Sequence, residues 1–404
     1  MHRRLAIFAA LAITAFAASA KNTSIPVNGR DTLDYRYTPI TLTTTPQQAS
    51  PRGFARYIYE MGIDRSFEQK IDFSIIPTIY YSTSTNIGLA VAAIGLYRID
   101  RHTRNIPPSR LTIYANASIV GHYRVGVASE NIFHDNRNRL DCNVVVSSLS
   151  TRFWGIGYAA ATHNGSLSYI SNDYRLEARY THRFFKRLHL GAAASFDYFD
   201  SRKVSAEMEQ RLLGQQTSVA ATSLSLIGKY DSRDNQSSTN KGILLYLRGT
   251  ARPKALSNAA ATSYGASLTF DLFQPLWHNA VLAIDIYGEY NSAATPWQLY
   301  PTLGGINRMR GYYEGRFTDR NVVTAQAEIR QRVWHQVGLV AWGGAANLFS
   351  TAESFSWRHT LPTYGLGVRF ELNPSLIVRL DYGFGTQISG RLVHGLVFSL
   401  GEAF

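Results

Sequence analysis

Val322-Val323-Thr324-Ala325-Gln326-Ala327-Glu328-Ile329-Arg330-Gln331-Arg332-Val333-Trp334 changes character almost residue by residue. In an extended chain successive side chains point to opposite faces, so Val323, Ala325, Ala327, Ile329 and Val333 share one side. Thr324, Gln326, Glu328, Arg330 and Arg332 share the other. The stretch reads as a strand with one oily face and one charged face. Outward from it the pattern repeats. Over 375–385, Leu376, Val378, Leu380, Tyr382 and Phe384 oppose Arg379, Asp381, Gly383 and Gly385, and over 364–372, Leu366, Val368 and Phe370 oppose Gly365, Gly367, Arg369 and Glu371. Leu268, Phe270 and Leu272, then Leu282, Ile284 and Ile286, extend it upstream.

A soluble sandwich or propeller also alternates. Charges of both signs on one face of strand after strand, however, would be costly in the dry core of a sandwich and fit a hydrated lumen inside a lipid-facing wall. Aromatic residues gather near segment ends, as at Tyr80-Tyr81, Phe184-Phe185, Trp277, Tyr290, Trp297, Tyr312-Tyr313, Trp334 and Trp357, where an interfacial girdle would lie. The expected fold is therefore all-β: a transmembrane antiparallel β-barrel. Strands are predicted over 71–83, 86–98, 111–124, 138–149, 153–163, 169–184, 188–200, 217–230, 242–252, 262–274, 280–291, 321–334, 336–348, 363–372, 375–386 and 390–403. That makes 16 strands, an even number as in bacterial single-chain barrels, so both sheet ends lie on the periplasmic side. The segment 153–163 is the irregular one, Gly- and Ala-rich. The long connections 125–137, 201–216, 253–261, 292–320 and 349–362 then become extracellular.

Composition agrees. Of 404 residues only 17% are charged, below the roughly 25% of an ordinary soluble domain, while 45% hydrophobic content is too rich for disorder. A single cysteine, Cys142, excludes a disulfide framework and Cys-rich metal sites. Mean hydropathy is −0.14, and no ~20-residue apolar run follows residue 20, which argues against membrane helices. Residues 1–20, MHRRLAIFAALAITAFAASA, combine two arginines, an apolar stretch and Ala18-Ser19-Ala20, the form of a cleaved signal peptide. Without it the formal charge of +13 falls to +11. Export makes nucleic acid a remote partner, so anionic lipid or an arginine-lined lumen accounts for the balance. Residues 21–64 read as a periplasmic leader whose Phe54, Tyr57, Ile58 and Met61 suggest a short amphipathic helix, ahead of a barrel over 65–404.

The longest extracellular connection carries Leu303-Gly304-Gly305 and then Arg308-Met309-Arg310-Gly311-Tyr312-Tyr313-Glu314-Gly315-Arg316-Phe317. Its glycines allow tight back-folding, and Arg310 offers a guanidinium fork that seeks carboxylates. Here the chain resembles the BamA/TamA superfamily of outer-membrane assembly and translocation barrels, also called the bacterial surface antigen family. In that family an Arg-Gly-Phe/Tyr motif after a Gly pair tips a loop that folds into the lumen, and Arg310, Gly311 and Tyr312 match it. Tyr230-Asp231-Ser232-Arg233-Asp234-Asn235 with Lys241-Gly242 resembles the family's periplasmic turn, through Asp231, Arg233, Asp234 and Gly242. Five strands follow the loop, as in the family. The ending Gly401-Glu402-Ala403-Phe404, with Leu396, Phe398 and Leu400 in phase, resembles a terminal β-signal carried by Phe398, Leu400 and Phe404. Phe153 to Tyr158, Met309 to Arg316 and Arg330 to Trp334 resemble a subgroup common in Bacteroidota.

The resemblance implies that Arg310 pairs with lumen-facing acids and that Glu328 is one of them. Trp342-Gly343-Gly344 stands where the family has the second. Either Glu371 or Asp381 takes its place, or the loop is held less firmly. The pairing would either tie down a plug or act in substrate handling. Only about 50 residues precede the first strand after the signal, without the mixed α/β pattern of the family's periplasmic POTRA domains, so a POTRA-less member is expected.

Enzyme motifs are missing: no Gly-x-Ser-x-Gly, His-Glu-x-x-His, P-loop or dinucleotide fingerprint occurs. No covalent catalysis, cofactor or metal is expected. The first functional expectation is assistance to protein or lipid insertion, assembly or translocation at the outer membrane of a Gram-negative bacterium. Its partners would be outer-membrane lipid and client outer-membrane proteins or lipoproteins. The basis would be a weak seam between first and last strands, with Gly395 and Gly401 weakening the last. The alternatives are a passive channel or structural barrel, with Arg330, Arg332, Arg369 and Arg379 read as charge compensation before an anion filter, and an outer-membrane hydrolase built from loop residues near His134-Asp135 or His359.

Overall fold

The computed structural model of the protein describes residues 65–404 apart from 101–105, 134–135, 237, 374–375 and 389. The expected signal segment, the leader with its helix, and His134-Asp135 lie outside the described residues. The strands are β1 (Asp72–Ser82), β2 (Asn86–Tyr97), β3 (Ser109–Ser118), β4 (Tyr123–Ile132), β5 (Asn138–Phe153), β6 (Leu167–Arg183), β7 (Leu188–Arg202), β8 (Ser218–Asp231), β9 (Gly242–Arg252), β10 (Ser263–Pro275), β11 (Ala280–Asn291), β12 (Asn321–Trp334), β13 (Val337–Phe349), β14 (Leu361–Asn373), β15 (Leu376–Ile388) and β16 (Arg391–Leu400). Each pairs antiparallel with its neighbours in sequence, and β16 returns to β1, closing the barrel. Two short helices, α1 (Tyr158–His163) and α2 (Ala206–Arg211), sit in connections. We call the end where β1 begins and β16 finishes the near end, and the opposite one the far end.

Burial is inverted relative to a soluble protein, in which apolar side chains are the hidden ones. Leu226 and Leu366 are 74% and 69% exposed on the outer wall, whereas Glu328, Arg379 and Asp381 are fully buried inside. Along β12, Val323 and Ile329 face out while Thr324, Gln326, Glu328 and Arg330 are buried. An apolar exterior around a polar interior is what a bilayer demands of a closed sheet.

Sixteen strands is the expected number, but two errors cancel in reaching it. The segment predicted as a strand over 153–163 leaves the sheet at Phe153 and forms α1. Its Tyr-Ala-Ala-Ala-Thr-His run lacks alternation and favours a helix, and Ala161 is fully buried beneath the loops. The segment predicted as one strand over 111–124 is two, β3 and β4, divided at Gly121 (φ 83), where the Gly121 amide donates to the Ser118 carbonyl at 3.1 Å. The turn residues Ile119 and Val120 are apolar and carried the alternation through the break. The connection expected over 125–137 is therefore mostly strand, and Phe133 and Asn136, which follow it, lie at the near end, opposite the end that carries the other long connections. Trp297 and Tyr312, assigned to the aromatic girdle, are buried in loops, while Phe185, Trp277 and Trp334 do stand exposed at strand ends.

β16 stops at Leu400, short of the expected 403. Continued alternation would point Glu402 at the lipid. At Gly401, whose φ of 83 is open to glycine at no steric cost, the chain instead turns inward.

Candidate functional site

The β11–β12 connection, residues 292–320, folds back on itself. The Leu303 amide donates to the Phe317 carbonyl at 2.9 Å, and the Gly315 amide to the Leu303 carbonyl at 3.1 Å. Gly304 and Gly305 (φ 97 and 103) lie against the Tyr312–Glu314 segment of the loop. Leu303, Met309, Tyr312 and Phe317 form an apolar cluster with wall residues including Leu348 and Leu361. The loop thus brings its own core into the barrel.

At its tip Arg310 is fully buried. Its Nη1 donates to Asp381 Oδ2 at 2.7 Å and its Nη2 donates to Glu328 Oε1. The guanidinium lies 3.8 Å from the centre of the Trp342 ring, and the Arg310 carbonyl accepts from Thr363 Oγ1 at 2.7 Å. One residue therefore engages four strands, β12 to β15. An indole face occupies the place where the resemblance implied a second acid, and Asp381 supplies that carboxylate. Glu371 does not reach the loop and pairs with Arg332.

Backbone meets backbone next to this clamp. A Cβ on Gly383 would fall 2.5 Å from the Arg310 carbonyl oxygen, and one on Gly311 (φ 109) would fall 2.9 Å from the Gly383 carbonyl carbon. Tyr312 continues the docking: its hydroxyl donates to the Pro362 carbonyl at 2.7 Å and accepts from the Thr386 amide at 2.8 Å. Burial pushes that hydroxyl up to about 12, so it remains a donor at any physiological pH. Arg308 grips Asp285 on β11 with two donors, at 2.8 and 2.7 Å.

The near-end turn between β8 and β9 is tied by its acids. Asp231 accepts from Arg233 Nε and Nη2, both at 3.0 Å, and pairs with Lys229 at 3.2 Å. Asp234 Oδ1 accepts from the amides of Asn235 at 2.9 Å and Asn240 at 3.0 Å, and Gly242 opens β9. This cluster is remote in the strand order from the Arg310 clamp and holds the hairpin.

The closing seam is short. Where β1 pairs with β2 at every position from Asp72↔Leu96 to Ser82↔Asn86, its register with β16 is Tyr81↔Phe398. Carried along both strands, that register sets Ile79–Ser82 opposite Leu400–Val397. Asp72–Thr78 and Arg391–Leu396 then fall outside the overlap. The loop sits behind this seam: a Cβ on Gly395 of β16 would come 3.2 Å from Gly311 Cα, and the Tyr313 hydroxyl donates to the Ser84 carbonyl beyond β1 at 3.4 Å. Of the expected terminal residues, Phe398 and Leu400 lie in β16, whereas Phe404 turns inside and packs on Phe273, ring centres 6.3 Å apart.

The far mouth is covered. Phe153, Met208, Leu212, Trp297 and Tyr300 form a core shared by three connections. Arg211 Nη1 donates to the Gly165 carbonyl at 2.6 Å, and Trp297 Nε1 to the Gln216 carbonyl at 3.0 Å. His359 stacks on Tyr158 at 4.3 Å in the same cover.

Sequence reasoning missed three participants. Trp342 was read as a gap in the acid pattern. Asp285 with Arg308 went unmarked. Of the inward glycines of β14–β16, Gly395 was read as weakening its strand and Gly365, Gly367, Gly383 and Gly385 only as polar-face positions, although side chains missing from one patch of an inner wall signal that something else fills it.

A model of the Omp85 superfamily domain matches residues 122–404. Among solved structures, BamA from Haemophilus ducreyi lacking POTRA domains 1–3 superposes with a TM-score of 0.59 at 11% identity, over 82% of this chain and 70% of that one. CdiB from Acinetobacter baumannii gives 0.53 at 13%, over 83% and 60%, and CdiB from Escherichia coli gives 0.57 at 10%, over 86% and 69%. At such identities the likeness is one of fold, that of outer-membrane barrels. No curated protein matches the sequence. With the family's domain spanning most of the chain, this protein belongs to the Omp85 superfamily.

Proposed function

We propose that this barrel resides in the outer membrane of a Gram-negative bacterium and assists insertion, assembly or translocation of other polypeptides there. Its partners are then outer-membrane lipid and client outer-membrane proteins or lipoproteins. The observation that carries the reading is the Tyr81↔Phe398 seam. Strand edges left outside a register overlap keep backbone donors and acceptors that an incoming strand can use, and this barrel has such edges on both β1 and β16. The Arg310 clamp stands directly behind them and would set how firmly β15 and β16 are held. No bond-making chemistry is assigned to any residue.

A passive anion channel finds less support. Three of the four ladder arginines are taken up by carboxylates, Arg330 by Glu328, Arg369 by Asp381 and Arg332 by Glu371, while Arg379 donates to Ser399 and stands 3.8 Å from Asp381, and loops cover the far mouth.

Depletion of the protein in its native cell is expected to lower the levels of other outer-membrane barrels. Register partners in an antiparallel pair stand about 4.5–5.5 Å apart at Cα, within disulfide range. A Tyr81→Cys/Phe398→Cys lock in a Cys142→Ser background should therefore reproduce the depletion until reduced. Unchanged barrel levels on depletion would sink the assembly reading.

A further inference from the structure

The four residues after β16 close a circuit of charge. Arg310 pairs with Glu328, and Glu328 with Arg330 at 3.0 Å. Arg330 reaches Glu402 at 3.9 Å, and Glu402 pairs with Arg369 at 2.8 Å. Arg369 pairs with Asp381 at 2.5 Å, and Asp381 returns to Arg310 at 2.7 Å. Arginine and acid alternate around a ring of six. Five members come from the loop, β12, β14 and β15, and Glu402 alone comes from beyond β16. It is fixed there by Gly401, whose amide donates to the Ile377 carbonyl at 2.8 Å, and by Phe404. The Phe404 ring lies 5.1 Å from the Arg330 guanidinium, and its carbonyl oxygen accepts from Arg330 Nη2 at 3.1 Å.

We infer that Glu402 is a positioning residue for the lumen loop, so that the state of the seam strand β16 is communicated to Arg310 through this ring. The reasoning is electrostatic. The ring is neutral, and Arg379, 3.8 Å from Asp381, adds one positive charge. Withdrawing Glu402 leaves four arginines around two acids. Arg330 and Arg369, each deprived of a partner, then draw Glu328 and Asp381 away from Arg310, and the surplus charge repels the loop tip. In a site shielded from water such redistribution is not damped as it would be on a surface. Any movement of β16 that pulls Glu402 out loosens the loop, and by the same coupling any undocking of the loop lets Glu328 and Asp381 draw Arg330 and Arg369 away from Glu402, which is then held less firmly.

Hydrogen exchange of the full-length protein in detergent or nanodiscs tests this without a client, so loss of the proposed assembly role would leave it standing. Glu402→Ala should speed exchange of the 303–317 amides about tenfold, a coupling of about 1.4 kcal/mol that lies within the range for residues sharing one network. Exchange in β9 should stay unchanged. Glu402→Asp should restore the loop to within about twofold of the native rate, and Glu402→Gln, which keeps the shape and loses the charge, should fall between. In an Arg310→Ala background, where the ring is already cut, Glu402→Ala should add nothing. The inference is overturned by loop exchange that stays native in Glu402→Ala, by an equal acceleration in β9, by an Asp variant no better than Ala, or by full additivity with Arg310→Ala.

Discussion

At the scale of single residues, the Arg310 guanidinium does what no other side chain can: it bridges carboxylates on two different strands while lying flat on an indole. Arg310→Ala leaves Glu328 and Asp381 buried with Arg330, Arg369 and the more distant Arg379 for compensation. The expected cost is about 3 kcal/mol, the lower end for a broken buried pair, read as a lower temperature for loss of the compact folded band in electrophoresis. Arg310→Lys should recover little, because an ammonium cannot present two parallel donors or stack. An unchanged profile for the alanine variant would refute docking by this clamp. Trp342→Ala should cost roughly 1 kcal/mol and Trp342→Phe less, since the phenyl ring keeps a cation–π face. The sequence carried Arg310 and Glu328 openly, through the motif and the alternation, but left Asp381 level with Glu371. Alternation assigns a face, not a height. Asp381 stands opposite Gly367, four residues along β14 from Glu371, roughly 13 Å at strand rise, and only the register resolves that. Glu402 was illegible for another reason: its direction depends on one dihedral at Gly401.

Among the elements, strands were legible where one face is oily and the other wet, and failed where turn or helix residues were apolar. Ile119-Val120 concealed the β3–β4 turn, and the alanines of 159–161 looked like a weak strand because nothing polar interrupted them. The even count was right while one of its members was a helix, so agreement in number was no evidence for the individual boundaries. The docking face of β14–β16 gives a prediction whose sign is diagnostic. In a bare barrel wall, Gly383→Val would be neutral or stabilising, because a β-branched residue suits a strand better than glycine. With the Arg310 carbonyl 2.5 Å from the added Cβ, it should instead expel the loop while the sheet persists. Hydrogen exchange over 303–317 should rise toward free-loop rates as the folded band survives heating nearly as before. A variant with a protected loop would show that the close approach is not maintained.

For the whole molecule, the question is whether the lumen offers water a continuous path. The inner wall is polar and charged, which a channel would share, yet the interior is occupied by a loop with an apolar core, and the far end is covered by a second one around Met208 and Trp297. Two apolar clusters among the far-end connections and strand ends exclude water far more effectively than a ring of paired charges. The purified protein should therefore show no large, steady conductance in planar bilayers. Met208 is fully buried at the base of α2, and Met208→Asp places a carboxylate in the cover without a partner. A penalty of about 3 kcal/mol for that unpaired group corresponds to an opened cover on the order of a hundred times more populated. Conductance events should become correspondingly more frequent, whereas Met208→Leu should behave as the native protein does. Steady conductance in the unaltered barrel, or identical recordings from the aspartate and leucine variants, would mean that the cover does not seal the lumen and would return the passive channel to first place.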